Sequence, residues 1–132
     1  MRYLLTLVST DGGGEDMTPE QWQAAMGPWE EFDREVVGAG AFVAGDALQP
    51  SDTTTTVRLS EGGDQTVTDG PFAETKEQLG GFYLLECADL DEALEWAKKV
   101  PISPGGAVEV TPVVDLSQFG YPDPYEAVAA SR

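Results

Sequence analysis

Proton-transfer chemistry in this chain would have to use carboxylates, a tyrosine, a lysine or a cysteine, because its 132 residues include no histidine. A carboxylate acts as a general base near neutral pH only when burial or a like-charged neighbour raises its pKa. The candidate groups are Asp46, Asp69, Glu74, Glu77, Lys76, Tyr83 and Cys87. This set permits acid–base catalysis without an imidazole, with Asp46, Asp69 and Glu77 as the leading catalytic candidates.

The same carboxylates also have ordinary structural explanations. Asp69 precedes Gly70 and Pro71, a composition typical of a turn. Glu74 and Glu77 fit the solvated face of one helical turn over Ala73–Gln78. The sequence therefore leaves two roles open for these carboxylates, a structural one and a catalytic one.

Cysteine, metal and phosphate sites are not indicated. Cys87 is the only cysteine and is interpreted as a small buried apolar residue near a strand end. Asp11, Glu15 and Asp16 lack the spacing of a calcium-binding loop, and the run Gly12–Gly14 has no following lysine to hold a phosphate. We expect no metal ion and no cofactor.

The charge balance excludes several classes of partner. Asp and Glu number 24 and Lys and Arg number 7, so the net charge is -17. Nucleic acids and anionic membranes require clustered cations, which this sequence lacks. The apolar run in residues 1–8 is too short for a membrane helix and has no signal-peptide cleavage site after it. A soluble, cytoplasmic protein is expected.

The first part of the chain predicts a strand followed by an amphipathic helix. Residues 1–8 form the strand, and Thr18 and Gln21 form a capping box with Pro19 at the first helical position. An apolar stripe at helical spacing should pack on a sheet: Trp22, Ala25, Met26, Trp29, Phe32 and Val36. Pro28 removes a backbone donor, so a kink or break is expected there.

The remaining elements predict an α+β fold. Strands are expected over 41–47, 82–87 and 107–114, with a hairpin over 53–68 and a second helix that starts at Asp89 and ends before Pro101. This order matches the ferredoxin-like split βαβ arrangement with an inserted hairpin. Both helices would cover one face of the sheet, so a homodimer is expected to cover the other.

The domain is expected to span residues 1–114, followed by a C-terminal tail, residues 115–132. The tail segment 118–125 contains two prolines and three aromatic residues. Its prolines argue against regular structure, and its aromatic side chains predict that it packs on the body or on a partner.

The run from Thr68 to Phe82 carries a family resemblance. Asp-Gly-Pro-Phe at 69–72, Glu-Thr-Lys-Glu at 74–77 and Gly-Gly-Phe at 80–82, with Gly-Asp-Ala-Leu-Gln-Pro at 45–50, resemble the DGPF branch of the YCII-related proteins. The resemblance covers about residues 1–114 and implies a dimeric α+β barrel of ferredoxin type. It also implies an alternative sigma factor as a partner, because genes of this branch often lie beside one.

A few relatives elsewhere in the superfamily resemble small lyases or dehalogenases built around a His–Asp pair, and that mechanism cannot be carried over to a chain without histidine. Trp29 or a neighbour holds the approximate place of the histidine, and Asp46 lies near the place of the carboxylate. A small lyase-type or dehalogenase-like activity based on carboxylates is the alternative function.

The favoured function is binding of a small molecule or a protein, with a regulatory role. The expected cleft lies between the first helix and the loop 69–81, with Phe72 anchored in the core as part of its wall. The expected ligand-binding residues are Trp29, Asp46, Asp69, Phe72, Glu74, Lys76, Glu77 and Tyr83.

Overall fold

The computed structural model describes residues 1–10, 17–73 and 77–130. The predicted helices and strands are present, with shifted ends in several places. In chain order they are β1 (Arg2–Ser9), α1 (Pro19–Gly38), β2 (Phe42–Ala47), β3 (Thr55–Leu59), β4 (Gln65–Asp69), β5 (Gln78–Glu86), α2 (Leu90–Lys99), β6 (Ala107–Pro112) and α3 (Pro124–Ala130), with short 3₁₀ helices at Ser51–Thr53 and Leu116–Phe119.

Four strands form an antiparallel sheet in the order β2-β5-β1-β6. Without the hairpin, this is the order of a ferredoxin-like sheet, so the predicted α+β fold is confirmed. Both long helices pack on the same face of the sheet. The core consists mainly of Tyr3, Leu5, Tyr83 and Leu85 from the strands, Phe32 and Val36 from α1, and Ala93 from α2.

Neither α1 nor α2 packs on the other face of the sheet, which we call the open face. Because side chains alternate along a strand, it presents Leu4, Thr6 and Val8 from β1 and Phe82 from β5. These four side chains are half-buried. The open face is therefore a mixture of apolar and polar groups.

Helix α1 begins as predicted and then departs from the prediction. The Thr18 side chain accepts from the Gln21 backbone, and the Gln21 side chain accepts from the Thr18 backbone. The expected break at Pro28 is wrong, because one helix runs through it. Ala24 and Pro28 are both exposed, so solvent can hydrate the carbonyl that proline leaves without a donor.

The apolar stripe of α1 is only partly buried. Phe32 and Val36 are the buried residues of this helix, whereas Trp22 and Met26 are 46% and 40% exposed. The C-terminal half of α1 therefore supplies the core contacts, and its N-terminal half extends beyond them.

Strands β3 and β4 form the predicted hairpin, but as a separate two-stranded sheet. The turn between them closes with the Ser60 amide donating to the Asp64 carbonyl at 2.8 Å. Gly63 has a φ of 91°, a conformation that side-chain-bearing residues disfavour. The hairpin is thus an appendage of the main sheet.

Strand β5 starts at Gln78, four residues before the predicted strand. The predicted helical turn over Ala73–Gln78 is therefore wrong at its end, and residues 74–76 lie outside the described part of the chain. Helix α2 is as predicted. Asp89 caps it by accepting from the Glu92 backbone at 2.9 Å, and two lysines lie in its last turn.

The tail contains regular structure, contrary to the prediction. A 3₁₀ helix and the short helix α3 form on either side of Tyr121 and Pro122. Pro124 is the first residue of α3, where a missing backbone donor has no cost. Among the described residues, no helix combines the length and the apolar character needed to cross a membrane.

Candidate functional site

Tyr83 lies at the centre of the predicted site, between the sheet and α1. Its ring makes edge-on contacts with Phe32 at 5.1 Å and with Phe42 at 6.4 Å between ring centroids. Its hydroxyl donates to Oδ1 of Asp33 on α1 at 2.5 Å. Gly45 on β2 faces it, and a Cβ there would lie 3.0 Å from the Tyr83 ring. Glycine at 45 therefore allows the ring to lie against β2.

The electrostatics of Tyr83 determine what it can do. Burial of the ring, followed by the hydrogen bond to Asp33, raises the pKa of Tyr83 above its ordinary value. The hydroxyl therefore stays protonated at neutral pH. It can donate a hydrogen bond, but it cannot serve as a base.

We expect the contribution of the Tyr83 hydroxyl to stability to depend on pH. A group whose pKa is raised on folding stabilises the protein fully below its unfolded pKa, about 10 for tyrosine, and loses that contribution as pH rises further. Tyr83→Phe should therefore cost about 1 kcal/mol at neutral pH, and the difference from wild type should shrink above pH ~10. Urea unfolding at several pH values measures it. A difference that grows with alkalinity would contradict the assignment.

Trp29 and Asp46 do not meet at a common site. Trp29 packs against the core from α1, on the same side as Tyr83. Asp46 pairs with Phe82 in the sheet, so its exposed side chain lies on the open face. The backbone separates Asp46 from Tyr83, and the two groups cannot act together within one chain.

Phe72 is not a core anchor, so that prediction is wrong. It is 72% exposed and lies under the guanidinium of Arg58, whose Cζ is 4.7 Å from the ring centroid. Arg58 also donates to the Phe72 carbonyl at 3.2 Å. The physical reason is that the hairpin stands apart from the main sheet, so Phe72 contacts the hairpin instead of the core.

Asp69 and Glu77 lie outside the core cluster that contains Tyr83. Asp69 ends β4 and is exposed, and Glu77 is exposed just before β5. Glu74 and Lys76 lie outside the described residues. Cys87 is buried, and burial raises the pKa of its thiol, which favours the predicted structural role. The predicted constellation is thus divided between the core side, the open face and the hairpin.

A groove that the sequence did not predict lies at one end of the sheet, against the tail. We call it the tail groove; its volume is about 920 Å³. The amino group of Met1 is 2.7 Å from the Glu86 carboxylate, and Arg2 donates to Asp123 at 2.6 Å. The Arg2 guanidinium also lies 4.7 Å from the centroid of the Tyr125 ring. Arg2 therefore holds the tail on the body of the protein.

Carboxylates outnumber cations along the tail groove. The hydrogen bond from Arg2 lowers the pKa of Asp123, and hydrogen bonds from Ser117 lower the pKa of Asp115. Both groups are therefore ionised at neutral pH. The cations that line the groove are the Met1 amine and Arg2. The carboxylates that line it are Glu86, Asp115, Asp123 and Glu126.

We expect Asp123→Asn to loosen the tail at neutral pH. Asp123 has a lowered pKa in the folded protein, so its stabilising effect is present above the ordinary carboxyl pKa and disappears as pH falls through the folded value. Wild type should therefore release the tail only in acid. Amide exchange in α3 measures this release. Glu126→Gln removes the same charge without touching Arg2, and equal loosening in that variant would rule out the Arg2 contact as the cause.

No metal centre is indicated by the described residues. Across 1–10, 17–73 and 77–130, three or more carboxylate or thiol groups are nowhere arranged to hold an ion. The residues that line the tail groove can form hydrogen bonds, ion pairs and aromatic contacts.

Comparison with known proteins identifies the family. The model of the YCII-related domain matches residues 1–117. The chain belongs to the YCII-related family. An uncharacterised protein of Rhizobium meliloti (strain 1021) is 37% identical over 115 residues, which is 86% of this chain and 92% of that protein. In this YCII-related protein, helix α3 lies beyond the matched residues, so part of the lining of the tail groove lies outside the family match.

Proposed function

We propose that this YCII-related protein binds a small neutral or cationic organic molecule in the tail groove. The observation that carries the proposal is the groove of about 920 Å³ between the start of β1 and the tail. Small-molecule sites are typically concavities of about 300 to 1,000 Å³ with apolar walls and a few polar groups. Pro112, Val113 and Leu116 supply apolar wall, and Arg2 and Tyr125 supply ordered polar and aromatic groups.

The charge of the tail groove favours one class of ligand. Four carboxylates face two cations, and both cations already have carboxylate partners. An added anion would meet the unpaired carboxylates and the net charge of -17 of the whole chain. A ligand with an ammonium group or with no charge meets no such repulsion.

A binding function has more support than the alternative, a small lyase-type or dehalogenase-like enzyme. Tyr83 stays protonated, and Asp46 lies on the other side of the sheet. General acid–base catalysis needs both partners within hydrogen-bond reach of the same substrate. Within one chain, the described residues do not place these two groups in that arrangement.

The proposal includes a homodimer in which the open face of the sheet is covered by a second copy. Leu4, Val8 and Phe82 lie on this face, which neither α1 nor α2 covers. Two copies related by a two-fold axis can bury this face against each other when the face is complementary to itself. Light scattering should therefore give twice the chain mass of 14.1 kDa. A mass of one chain at micromolar concentration would contradict the dimer.

The binding proposal is tested with three probes that share one ring and differ in charge: benzylamine, benzyl alcohol and benzoate. Titration followed by NMR should shift the amide signals of Val113, Ser117 and Tyr125, most strongly with benzylamine and least with benzoate. Glu126→Gln should weaken the benzylamine shifts. Glu61→Gln, in the hairpin turn and outside the groove lining, removes the same charge and should leave them unchanged. Shifts confined to other regions, or strongest with benzoate, would contradict the proposal.

A further inference from the structure

The hairpin β3–β4 has an uncovered aliphatic face. Val57 pairs directly with Val67, and Leu59 lies two residues further along the same side of β3. Val57 is 61% exposed, Val67 is 67% exposed and Leu59 is 70% exposed. The face therefore presents three aliphatic side chains to solvent.

The opposite face of the hairpin is already in contact with its own chain. The Thr56 hydroxyl donates to the Gly70 carbonyl at 2.6 Å, and Arg58 donates to the Phe72 carbonyl while covering its ring. The segment that leaves β4 thus lies along the polar face. Whatever contacts the aliphatic face must approach from the other side.

The hairpin also lacks the support that a larger sheet would provide. In the described part of the chain, β3 and β4 pair with each other and with no strand of the main sheet. A two-stranded hairpin is marginally stable in water unless a hydrophobic face packs on something. The hairpin therefore needs an apolar surface whenever the protein is folded.

We infer that the aliphatic face of the hairpin packs on a second copy of this chain, so that the hairpin is an assembly arm. The inference rests on the proposed homodimer and extends it beyond the open face of the sheet. Because every folded molecule has a hairpin that needs an apolar surface, that surface must be present in the same amount as the protein itself. A second copy of the chain meets that requirement. In a two-fold dimer the small patch is also buried twice, once for each arm.

The charge distribution supports the same occupant. Two chains of net charge -17 repel each other, so contact between copies is favoured where carboxylates are few. Val57, Leu59 and Val67 form an uncharged centre; Gln65 pairs with Leu59 at one end of this face, and Asp69 pairs with Thr55 at the other end. Such an uncharged centre is where copies of so acidic a chain can meet.

The test compares Val67→Lys with Thr66→Lys. The two residues are adjacent in β4, both are exposed, and their side chains lie on opposite faces of the hairpin. Val67→Lys should raise the dimer dissociation constant by about tenfold or more, because it places an unpaired charge in an apolar contact. Thr66→Lys adds the same charge and should leave the constant near the wild-type value. Circular dichroism shows whether each variant keeps the main fold.

Amide exchange in the wild-type protein gives a second, independent reading. Protection of the β3 and β4 amides should fall on dilution in step with dissociation of the dimer. A stable wild-type dimer whose Val67→Lys variant associates normally, or whose hairpin amides exchange freely, would overturn the arm and leave the homodimer intact. A wild-type monomer would overturn both. These outcomes separate the failure of the arm from the failure of the proposed function.

Discussion

Phe32→Ala is expected to lower the free energy of unfolding by about 3 to 5 kcal/mol, the usual loss for a buried phenylalanine. Phe32 is a residue of α1, is 3% exposed, and packs into the core that the sheet forms with α1 and α2. Its ring contacts Tyr83 at 5.1 Å and Trp96 at 6.2 Å, both in edge-on geometry. Truncation would leave a cavity where α1, α2 and β5 meet. Urea unfolding followed by circular dichroism measures the loss.

Phe72→Ala is the matched control, since it removes the same atoms from an exposed position. Phe72 is 72% exposed and contacts Arg58, an arrangement worth about 0.5 to 1 kcal/mol at the surface. A loss within that range is expected. Equal losses at Phe32 and Phe72 in a protein shown to be monomeric would contradict the placement of the Asp-Gly-Pro-Phe segment outside the core.

Gly81→Ala should destabilise the protein by about 1 to 3 kcal/mol, the typical penalty for adding a methyl group where there is no space. A Cβ at 81 would lie 2.8 Å from the Asp46 carbonyl oxygen and 3.3 Å from the Ala47 Cα. Both are backbone atoms of β2, so neither can move without shifting the strand. The sheet must therefore distort between β5 and β2.

Gly80→Ala provides the comparison at the neighbouring residue of the same strand. The nearest atom to a Cβ there is the Leu7 carbonyl oxygen at 3.7 Å, an ordinary contact. Neither glycine has a positive φ, so alanine can adopt both conformations. Gly80→Ala should raise stability by about 0.4 to 1 kcal/mol by restricting the unfolded chain. Thermal unfolding of both variants should rank Gly80→Ala above wild type and Gly81→Ala below it, and the reverse order would contradict the strand register.

The elements of the main fold were predictable because their signals are local. The capping residues Thr18 and Asp89, and the alternating or helical spacing of apolar residues, depend on neighbours a few positions away. The order of the elements then predicted a ferredoxin-like sheet, since few topologies bury one helix-covered face. The family resemblance drawn from residues 45–50 and 68–82 was likewise confirmed at the level of the YCII-related family.

The candidate site was less predictable because its residues are brought together by contacts distant in sequence. Tyr83 was predicted, but its partner Asp33 lies 50 residues earlier, at an exposed position of α1 between the buried residues Phe32 and Val36. Asp46 was predicted to belong to the same binding site as Tyr83, whereas the strand register puts it on the opposite face of the sheet. An error of one residue in register is invisible in a motif and reverses the face of the sheet.

The sequence by itself determined the fold class, the charge that disfavours anionic partners, and the absence of imidazole chemistry, because these depend on residue types and short-range order. Only the tertiary structure decided that α1 runs through Pro28, that Phe72 is exposed, and that Arg2 holds a tail residue 121 positions away at Asp123. Solvation, burial and ion pairing at these places depend on which distant segments lie alongside them. The spacing of residues along the chain does not specify which distant segments become neighbours.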